Sequence, residues 1–194
     1  MCIEFSIIYP DNSYYSGHYN KNWKREGKGI LYLSDGTKYE GTFKDNEMCG
    51  KGRLINIEGF YYEGEFKNNQ ANGYGKHVNL DGTNFSGYWR DDLQNGLGGE
   101  TFIDGSRYEG NYVNGKKNGL GKFNWSDGSE YYGEFNDNYI HGKGLYKWID
   151  KRIYEGEWKF NKMDGEGEFS WPDGRKYFGS YKEDKKDGFG LFEW

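Results

Sequence analysis

Small and aromatic residues alternate with polar residues in short runs along most of the chain. Tyr154, Gly156 and Trp158, for example, alternate with two glutamates. Six mostly polar residues that resemble a turn follow, 159–164, and then a second alternating run over residues 165–171. Alternation with a period of two predicts β-strands with one buried face, whereas no helical periodicity is present in the sequence. A Pro-Asp-Gly turn ends the unit, so the pattern predicts a β-hairpin.

The hairpin pattern recurs along the chain with a fixed period. Each copy contains Tyr-x-Gly-x-aromatic or a close variant, six or seven further residues, and then Gly-x-Gly. The aromatic residues that open the copies are Tyr15, Tyr39, Tyr62, Phe85, Tyr108, Tyr131, Tyr154 and Tyr177. Successive openings are separated by 24 residues once and by 23 residues six times. A period of about 20–50 residues is typical of stacked supersecondary units, each of which packs on its neighbours.

We therefore predict an all-β protein that forms an elongated, single-layer antiparallel sheet of eight consecutive 23-residue β-hairpin repeats. The repeats occupy residues 15–194 and start near residues 15, 39, 62, 85, 108, 131, 154 and 177. Residues 1–14 are predicted to form an N-terminal half-repeat, or cap, with one strand over residues 3–9. Asn12 stands where the turn of a full repeat has Gly174, and asparagine tolerates positive φ better than most residues. Eight hairpins and the half-repeat give 17 strands.

Two repeats lack the glycine of the turn that ends the other units. The turn of the sixth repeat contains Asp150-Lys151 in place of Asp-Gly, so we expect its conformation to differ from the others. The last repeat stops at Trp194, before the expected Asp-Gly. Either the chain is a fragment, or the edge of its last strand pairs with something else.

The composition indicates how such a sheet is packed. Only 34% of the residues are hydrophobic but 20% are aromatic, so aromatic rings must provide most of the packing. On each predicted hairpin the tyrosine and the glycines share one face, and charged residues occupy the other. A glycine leaves space above the backbone that a cross-strand aromatic ring can fill. The regular tyrosines and glycines are therefore interpreted as packing residues rather than catalytic residues.

Charge and reactive side chains restrict the function. The net charge is −5, which argues against nucleic acid as a partner because phosphate binding needs a basic surface. His18, His77 and His141 lie in different repeats, too far apart for a catalytic dyad or a metal site. Cys2 and Cys49 form neither a disulfide framework nor a metal-binding pattern, which favours a reduced, intracellular setting. We therefore expect a protein without enzymatic activity, metal or cofactor.

Candidate binding residues come from two positions at the end of each second strand. In the last four repeats both positions are aromatic, which predicts a partner-binding groove lined by Phe123, Trp125, Tyr146, Trp148, Phe169, Trp171, Phe192 and Trp194. Polar residues interrupt the series in earlier repeats, where His77, Asn79 and Glu100 form a predicted secondary polar zone. Either the two zones bind differently, or a half-open groove simply tolerates substitution. Because no segment is left over to cover it, part of the aromatic face should be open to water.

These motifs carry a family resemblance. Tyr-x-Gly-x-Phe/Trp, then Gly-x-Gly and Asp-Gly at a 23-residue period, is similar to the MORN (membrane occupation and recognition nexus) repeat over residues 15–194. The resemblance implies one long, twisted antiparallel sheet of consecutive hairpins with a lengthwise groove. It also implies a scaffold at cytoskeletal or membrane-associated structures that binds partner peptides or phospholipids. Similar arrays are attached to lipid kinases and to a lysine methyltransferase, whose catalytic domains are not present in this sequence.

We therefore predict a non-enzymatic scaffold that binds an extended or helical segment of a partner protein, in a cytoplasmic assembly associated with the cytoskeleton, the cilium or a membrane. An alternative is phosphoinositide or membrane binding, for which the candidates at turns are Lys116-Lys117, Lys151-Arg152, Arg175-Lys176 and Lys185-Lys186. Acidic residues interleave with these cations, so we expect phospholipid contact to be weak. A third alternative is a regulatory region of a larger enzyme such as a lipid kinase. Homo-association through exposed end strands is a further expectation.

Overall fold

The chain is all-β in the computed structural model, which describes residues 3–194. Met1 and Cys2, at the start of the predicted half-repeat, lie outside the described residues. Within residues 3–194 there are seventeen strands and no helix, and therefore no helix able to cross a lipid bilayer. The strands are β1 (Ile3–Ile8), β2 (Tyr14–Tyr19), β3 (Arg25–Tyr32), β4 (Lys38–Lys44), β5 (Glu47–Ile55), β6 (Tyr61–Lys67), β7 (Gln70–Val78), β8 (Asn84–Arg90), β9 (Leu93–Thr101), β10 (Arg107–Val113), β11 (Lys116–Asn124), β12 (Glu130–Asn136), β13 (Tyr139–Lys147), β14 (Ile153–Lys159), β15 (Lys162–Ser170), β16 (Lys176–Lys182) and β17 (Lys185–Glu193).

The strands belong to two compact units. The first ends at Asn95 and contains β1–β8 with the start of β9, and the second begins at Gly96 and contains the rest of β9 with β10–β17. Within each unit, strands that are consecutive in sequence pair in antiparallel register; in β14 and β15, for example, Tyr154 lies opposite Phe169. The predicted all-β array of antiparallel hairpins is confirmed.

The turn inside the second to eighth hairpins is tighter than the sequence pattern predicts. In the seventh repeat it consists of Phe160 and Asn161, whose φ angles of 48° and 66° are typical of a type I′ turn. Strand β15 therefore begins at Lys162, and the prediction of a six-residue turn over residues 159–164 is wrong. The pairing register shifts just beyond this turn, and Gly165 has a φ of 112°. This β-bulge interrupts the alternation of side chains and hid the start of the strand.

The turn between consecutive repeats is the same at Lys151 as at Gly174. Both residues have positive φ, 69° and 96°, respectively. The Lys151 turn is closed by a backbone hydrogen bond from Trp148 N to Arg152 O at 2.9 Å. Asp150 Oδ1 also accepts from Arg152 N at 3.1 Å. The expectation that this turn differs is wrong, because these hydrogen bonds hold lysine in a left-handed conformation.

Seven of the eight repeats are centred on a tyrosine ring that lies over two glycines, and the fourth has Phe85 at the position of this tyrosine. Tyr39 is fully buried, and a Cβ added at Gly52 would lie 2.6 Å from its Cε2 atom. Gly52 pairs across the strands with Gly41, which lies under the same ring. The hydroxyl of Tyr39 donates to the carbonyl of Thr42 at 3.1 Å. Equivalent hydrogen bonds of 3.0–3.1 Å are made by Tyr15, Tyr62, Tyr108, Tyr131 and Tyr154.

The rings of neighbouring repeats form a continuous edge-to-face series within each unit. Neighbouring ring centroids are 5.0–5.7 Å apart and nearly perpendicular, an arrangement that aromatic quadrupoles favour. The first unit contains, in order, Tyr19, Tyr15, Phe43, Tyr39, Phe66, Tyr62, Trp89 and Phe85. The second contains Tyr112, Tyr108, Phe135, Tyr131, Trp158, Tyr154, Tyr181 and Tyr177. Aromatic packing thus replaces the missing aliphatic core.

In six repeats the hairpin turn also connects the repeat to the one before it. The backbone N–H of Asn161 donates to the carbonyl of Ile140 at 3.0 Å, and its Oδ1 accepts from the N–H of Ile140 at 2.8 Å. We call this pair of bonds the turn clamp. Other turn clamps join Asn46 to Arg25, Asn69 to Met48, Asp92 to Ala71, Asn138 to Lys117 and Asp184 to Met163.

Candidate partner-binding surface

A continuous stack of aromatic rings runs along the second unit. Successive ring centroids are 4.5–5.6 Å apart, and the ring planes are inclined by 26–45°. We call this stack the aromatic ladder; its members are Phe102, Phe123, Trp125, Tyr146, Trp148, Phe169, Trp171, Phe192 and Trp194. The structure therefore brings together all eight predicted groove residues and adds Phe102.

Strand register explains why these residues share a face. Phe169 lies opposite Tyr154 on one side and opposite Tyr177 on the other. Trp171 is two residues further along and therefore points to the same face. Its backbone N–H donates to the carbonyl of Arg175 at 2.9 Å, which fixes it at the mouth of the turn.

The ladder is only partly covered. Phe169 is 8% exposed and Trp194 is 90% exposed. The other six predicted groove residues are half-buried: Phe123, Trp125, Tyr146, Trp148, Trp171 and Phe192. An aromatic surface of this kind, with one side packed and one side open to water, is typical of interaction sites. Phe169 contributes mainly to packing.

Cations lie against the ladder. The guanidinium carbon of Arg152 is 5.4 Å from the Trp148 ring centroid, and that of Arg175 is 5.6 Å from the Trp171 ring centroid. Arg175 pairs with Asp173 at 2.8 Å, which lowers the pKa of that carboxyl group through the hydrogen bond. These two arginines belong to the sequences proposed as lipid-binding candidates, and the structure gives both of them partners on the protein.

Glu100, a member of the predicted polar zone, belongs to an internal ion pair in the second unit. Its Oε2 accepts from Lys117 Nζ at 2.8 Å and from Tyr112 Oη at 3.2 Å. The Lys117 ammonium also lies 5.1 Å from the ring centroid of Tyr108. Burial, followed by the charge of Glu100, raises the pKa of Tyr112. Glu100 thus has a structural role.

The other two polar-zone residues lie in the first unit and have partners there. The ring centroid of His77 is 5.9 Å from that of Phe60 and 6.4 Å from that of Trp89. Burial lowers the pKa of His77, so its ring is neutral at pH 7. Asn79 is exposed and donates from Nδ2 to Thr83 Oγ1 at 2.8 Å. Each of the three residues therefore has partners of its own within its unit.

The opposite, charged face carries shallow grooves in both units that the sequence pattern did not predict. A groove in the first unit has a volume of about 770 Å³ and is lined by residues that include Arg53, Tyr61 and Tyr74. A groove in the second unit has a volume of about 510 Å³, and Leu120 and Tyr132 contribute to its floor. In the sequence, the signal that could have indicated these grooves was the presence of exposed apolar residues between charged ones.

Reactive groups are sparse in the part of the chain that the structure describes. Residues 3–194 contain no group of three histidine, cysteine or carboxylate side chains placed to hold a metal ion. Cys49 is a free thiol, and burial raises its pKa, which disfavours the reactive thiolate.

The comparison with known families identifies the repeat. The chain matches the MORN repeat eight times, over residues 15–38, 39–56, 62–83, 85–107, 108–130, 131–151, 154–174 and 177–194. The protein therefore belongs to the MORN repeat family, as its motifs predicted. No curated protein sequence gives a significant match.

Two solved structures from Drosophila melanogaster are among those to which this chain is similar. One is the TCP domain of SAS-4 (dCPAP) in complex with a proline-rich motif of Ana2 (dSTIL), with a TM-score of 0.50 and 14% identity over 92% of this chain and 90% of that chain. The other is the TCP10c domain of Sas-4, with a TM-score of 0.46 and 13% identity over 93% of this chain and 100% of that chain. At 14% identity, the likeness to the first of these structures shows similarity of fold alone.

Proposed function

We propose that this protein is a non-enzymatic scaffold that binds an extended segment of a partner protein along the aromatic ladder. The observation that carries the proposal is the contiguous, half-exposed stack of nine rings in the second unit. Tryptophan and tyrosine dominate binding energies at protein interfaces, because they bury a large area at low entropic cost.

An extended segment fits the ladder better than a helix does. The two ring positions recur at each of the last four hairpins, so apolar contacts are available at regular steps along the ladder. Proline-rich segments in a polyproline II conformation dock on aromatic-lined grooves and lose little entropy when they bind. The Drosophila SAS-4 domain, which has a similar fold, was solved with a proline-rich motif. We therefore propose proline-containing segments as the first class of partner to test.

A finer part of the proposal concerns the cellular setting. We place the scaffold in the cytoplasm, in an assembly associated with the cytoskeleton or the cilium. Membership of the MORN repeat family supports this setting. Localisation of the tagged protein to basal bodies, cilia or cytoskeletal filaments is the expected result, and a diffuse or secreted distribution would contradict it.

The test begins with partners captured from native extract and identified by mass spectrometry, followed by calorimetry with the bound segment. Trp148→Ala is expected to weaken affinity at least about 30-fold, a typical hot-spot loss, while circular dichroism shows a folded sheet. Tyr132→Ala is the matched control, because Tyr132 is an aromatic residue that is 60% exposed and lines the groove on the opposite face. If Trp148→Ala lowers the melting temperature sharply but the folded protein still binds, the ladder is core and the proposal fails.

A further inference from the structure

Lys186 occupies, three repeats later, the position that Lys117 holds in the fifth repeat. Its ammonium lies 4.0 Å from the ring centroid of Tyr177, 5.2 Å from that of Trp171 and 5.1 Å from that of Phe192. The Lys117 ammonium likewise lies 5.0–5.7 Å from three ring centroids, those of Phe102, Tyr108 and Tyr112. Phe102 and Tyr108 are the equivalents of Trp171 and Tyr177. Both lysines therefore sit on the ladder face and are held by cation–π contacts.

The two sites differ in one group. The carboxylate of Glu100 accepts from Lys117 Nζ at 2.8 Å and from Tyr112 Oη at 3.2 Å. The residue that replaces this glutamate three repeats later is Phe169. Lys186 forms no ion pair among the described residues. It is exposed, whereas the Lys117 side chain is only 13% exposed.

The tyrosine of the second site lacks the same acceptor. Tyr181 corresponds to Tyr112 and lies directly opposite Lys186 in the strand register. It is 5% exposed, and its hydroxyl oxygen is buried without a hydrogen-bond partner in residues 3–194. Burial without a partner is costly for a hydroxyl group, so sites of this kind call for an explanation. Lys117 and Tyr112 donate to the same carboxylate, whereas Lys186 and Tyr181 have no carboxylate acceptor among the described residues.

We infer that Lys186, beside the unpaired hydroxyl of Tyr181, binds a carboxylate that the partner supplies. The ligand is an aspartate or glutamate side chain of the extended segment, and Glu100 shows from within the same unit how such a carboxylate is held. The inference rests on the proposed function, because the segment must lie on the ladder for its side chain to reach Lys186. It adds a charge requirement: the ladder selects acidic segments over neutral ones.

The experiment uses the full chain as bait for a display library of random 12-residue peptides. The strongest peptides are expected to carry an acidic residue at one fixed position relative to their apolar or proline residues. The best peptide is then synthesised with glutamate and with glutamine at that position. We expect the glutamate form to bind about tenfold more tightly at low salt, the scale of one partly desolvated ion pair, and the preference to decrease as salt increases.

Lys186→Met keeps the aliphatic contact with the rings and removes the charge, and it should reduce the preference for glutamate to less than about twofold. Lys182→Met is the control, because Lys182 is an exposed lysine of the same hairpin that lies next to Tyr181 and therefore on the other face. This control should retain the tenfold preference. Circular dichroism establishes that both variants are folded.

The outcomes separate the inference from the proposed function. Peptides that lose binding in Trp148→Ala but show equal affinity for the glutamate and glutamine forms overturn the inference and leave the ladder as the binding surface. A preference that survives in Lys186→Met overturns it as well. Failure to enrich any peptide, or enrichment of peptides insensitive to Trp148→Ala, overturns the proposed function and the inference with it.

Discussion

At the residue scale, the repeats depend on glycines because a tyrosine ring occupies the space that a side chain at the glycine position would need. In the fifth repeat, the Cβ of any residue other than glycine at position 110 would meet Tyr108 Oη and lie 2.6 Å from the Cα of Gly121. The ring cannot move aside, because its hydroxyl is bonded to the carbonyl of Asn111. The glycine is thus required by packing and not by backbone conformation.

Gly110→Val is therefore expected to destabilise the protein by at least about 1–3 kcal/mol, the usual range for overpacking. Gly99→Val is the matched control, because a Cβ there has no neighbour closer than 3.6 Å. The control should change the free energy of unfolding much less than Gly110→Val does. Urea denaturation measures both values, and equal losses would contradict the assigned packing.

The two equivalent tyrosines Tyr112 and Tyr181 provide a second test at this scale. Tyr112→Phe removes a hydrogen bond to the carboxylate of Glu100, and we expect a loss of about 1.5–3 kcal/mol, the range for bonds to charged groups. Tyr181→Phe removes a buried hydroxyl that has no hydrogen-bond partner in residues 3–194, so stability should be unchanged or slightly higher. Thermal denaturation in the absence of any partner distinguishes them; a large loss in Tyr181→Phe would show that its hydroxyl is satisfied.

At the scale of the hairpin, the turn clamp is the element that joins one repeat to the previous one. Asn161 has two roles, since it adopts a φ of 66° and accepts from the N–H of Ile140. Glycine at this position permits the same φ but offers no side-chain acceptor.

Asn161→Gly is expected to destabilise the seventh repeat by about 1 kcal/mol, because one backbone donor loses its protein acceptor. Asn161→Ala should cost more, since it adds the strain of alanine at positive φ. Hydrogen exchange measures the effect, and the amide of Ile140 should lose protection in both variants. Unchanged protection of this amide would contradict the role of the clamp.

The sequence period predicted those features of the hairpins that depend on packing alone. The period placed the tyrosines over the glycines, and it placed the ladder residues on one face. It misplaced the inner turn, because Phe160 at a φ of 48° is not a turn residue by composition. Nor could it show the carboxylate shared by Lys117 and Tyr112, since that contact depends on how three strands come together.

At the scale of the whole molecule, charge separates the protein-binding and lipid-binding hypotheses. The net charge is −5, and Lys116, Arg152 and Arg175 each pair with an aspartate. Anionic membranes attract clusters of unpaired basic residues, each of which contributes about 1 kcal/mol. These three cations are therefore poorly suited to a phosphoinositide surface.

We expect weak or no binding to liposomes that contain phosphoinositides at about 0.15 M salt, where surface charges are strongly screened. Sedimentation with vesicles measures the bound fraction, and vesicles of neutral phosphatidylcholine are the control. Tight binding to the anionic vesicles that weakens as salt increases would favour the lipid-binding hypothesis instead.

The turn clamp has a consequence for how such proteins evolve. Asn161 attaches its repeat to Ile140, and Asn138 attaches the preceding repeat to Lys117 through the same two backbone groups. If residues 131–153 were deleted, Asn161 would meet Lys117, whose backbone offers the same donor and acceptor. Gain or loss of one whole unit by unequal recombination would therefore leave no amide unpaired. Genes for such arrays can lengthen or shorten the partner-binding surface in steps of one repeat without first passing through an unstable intermediate.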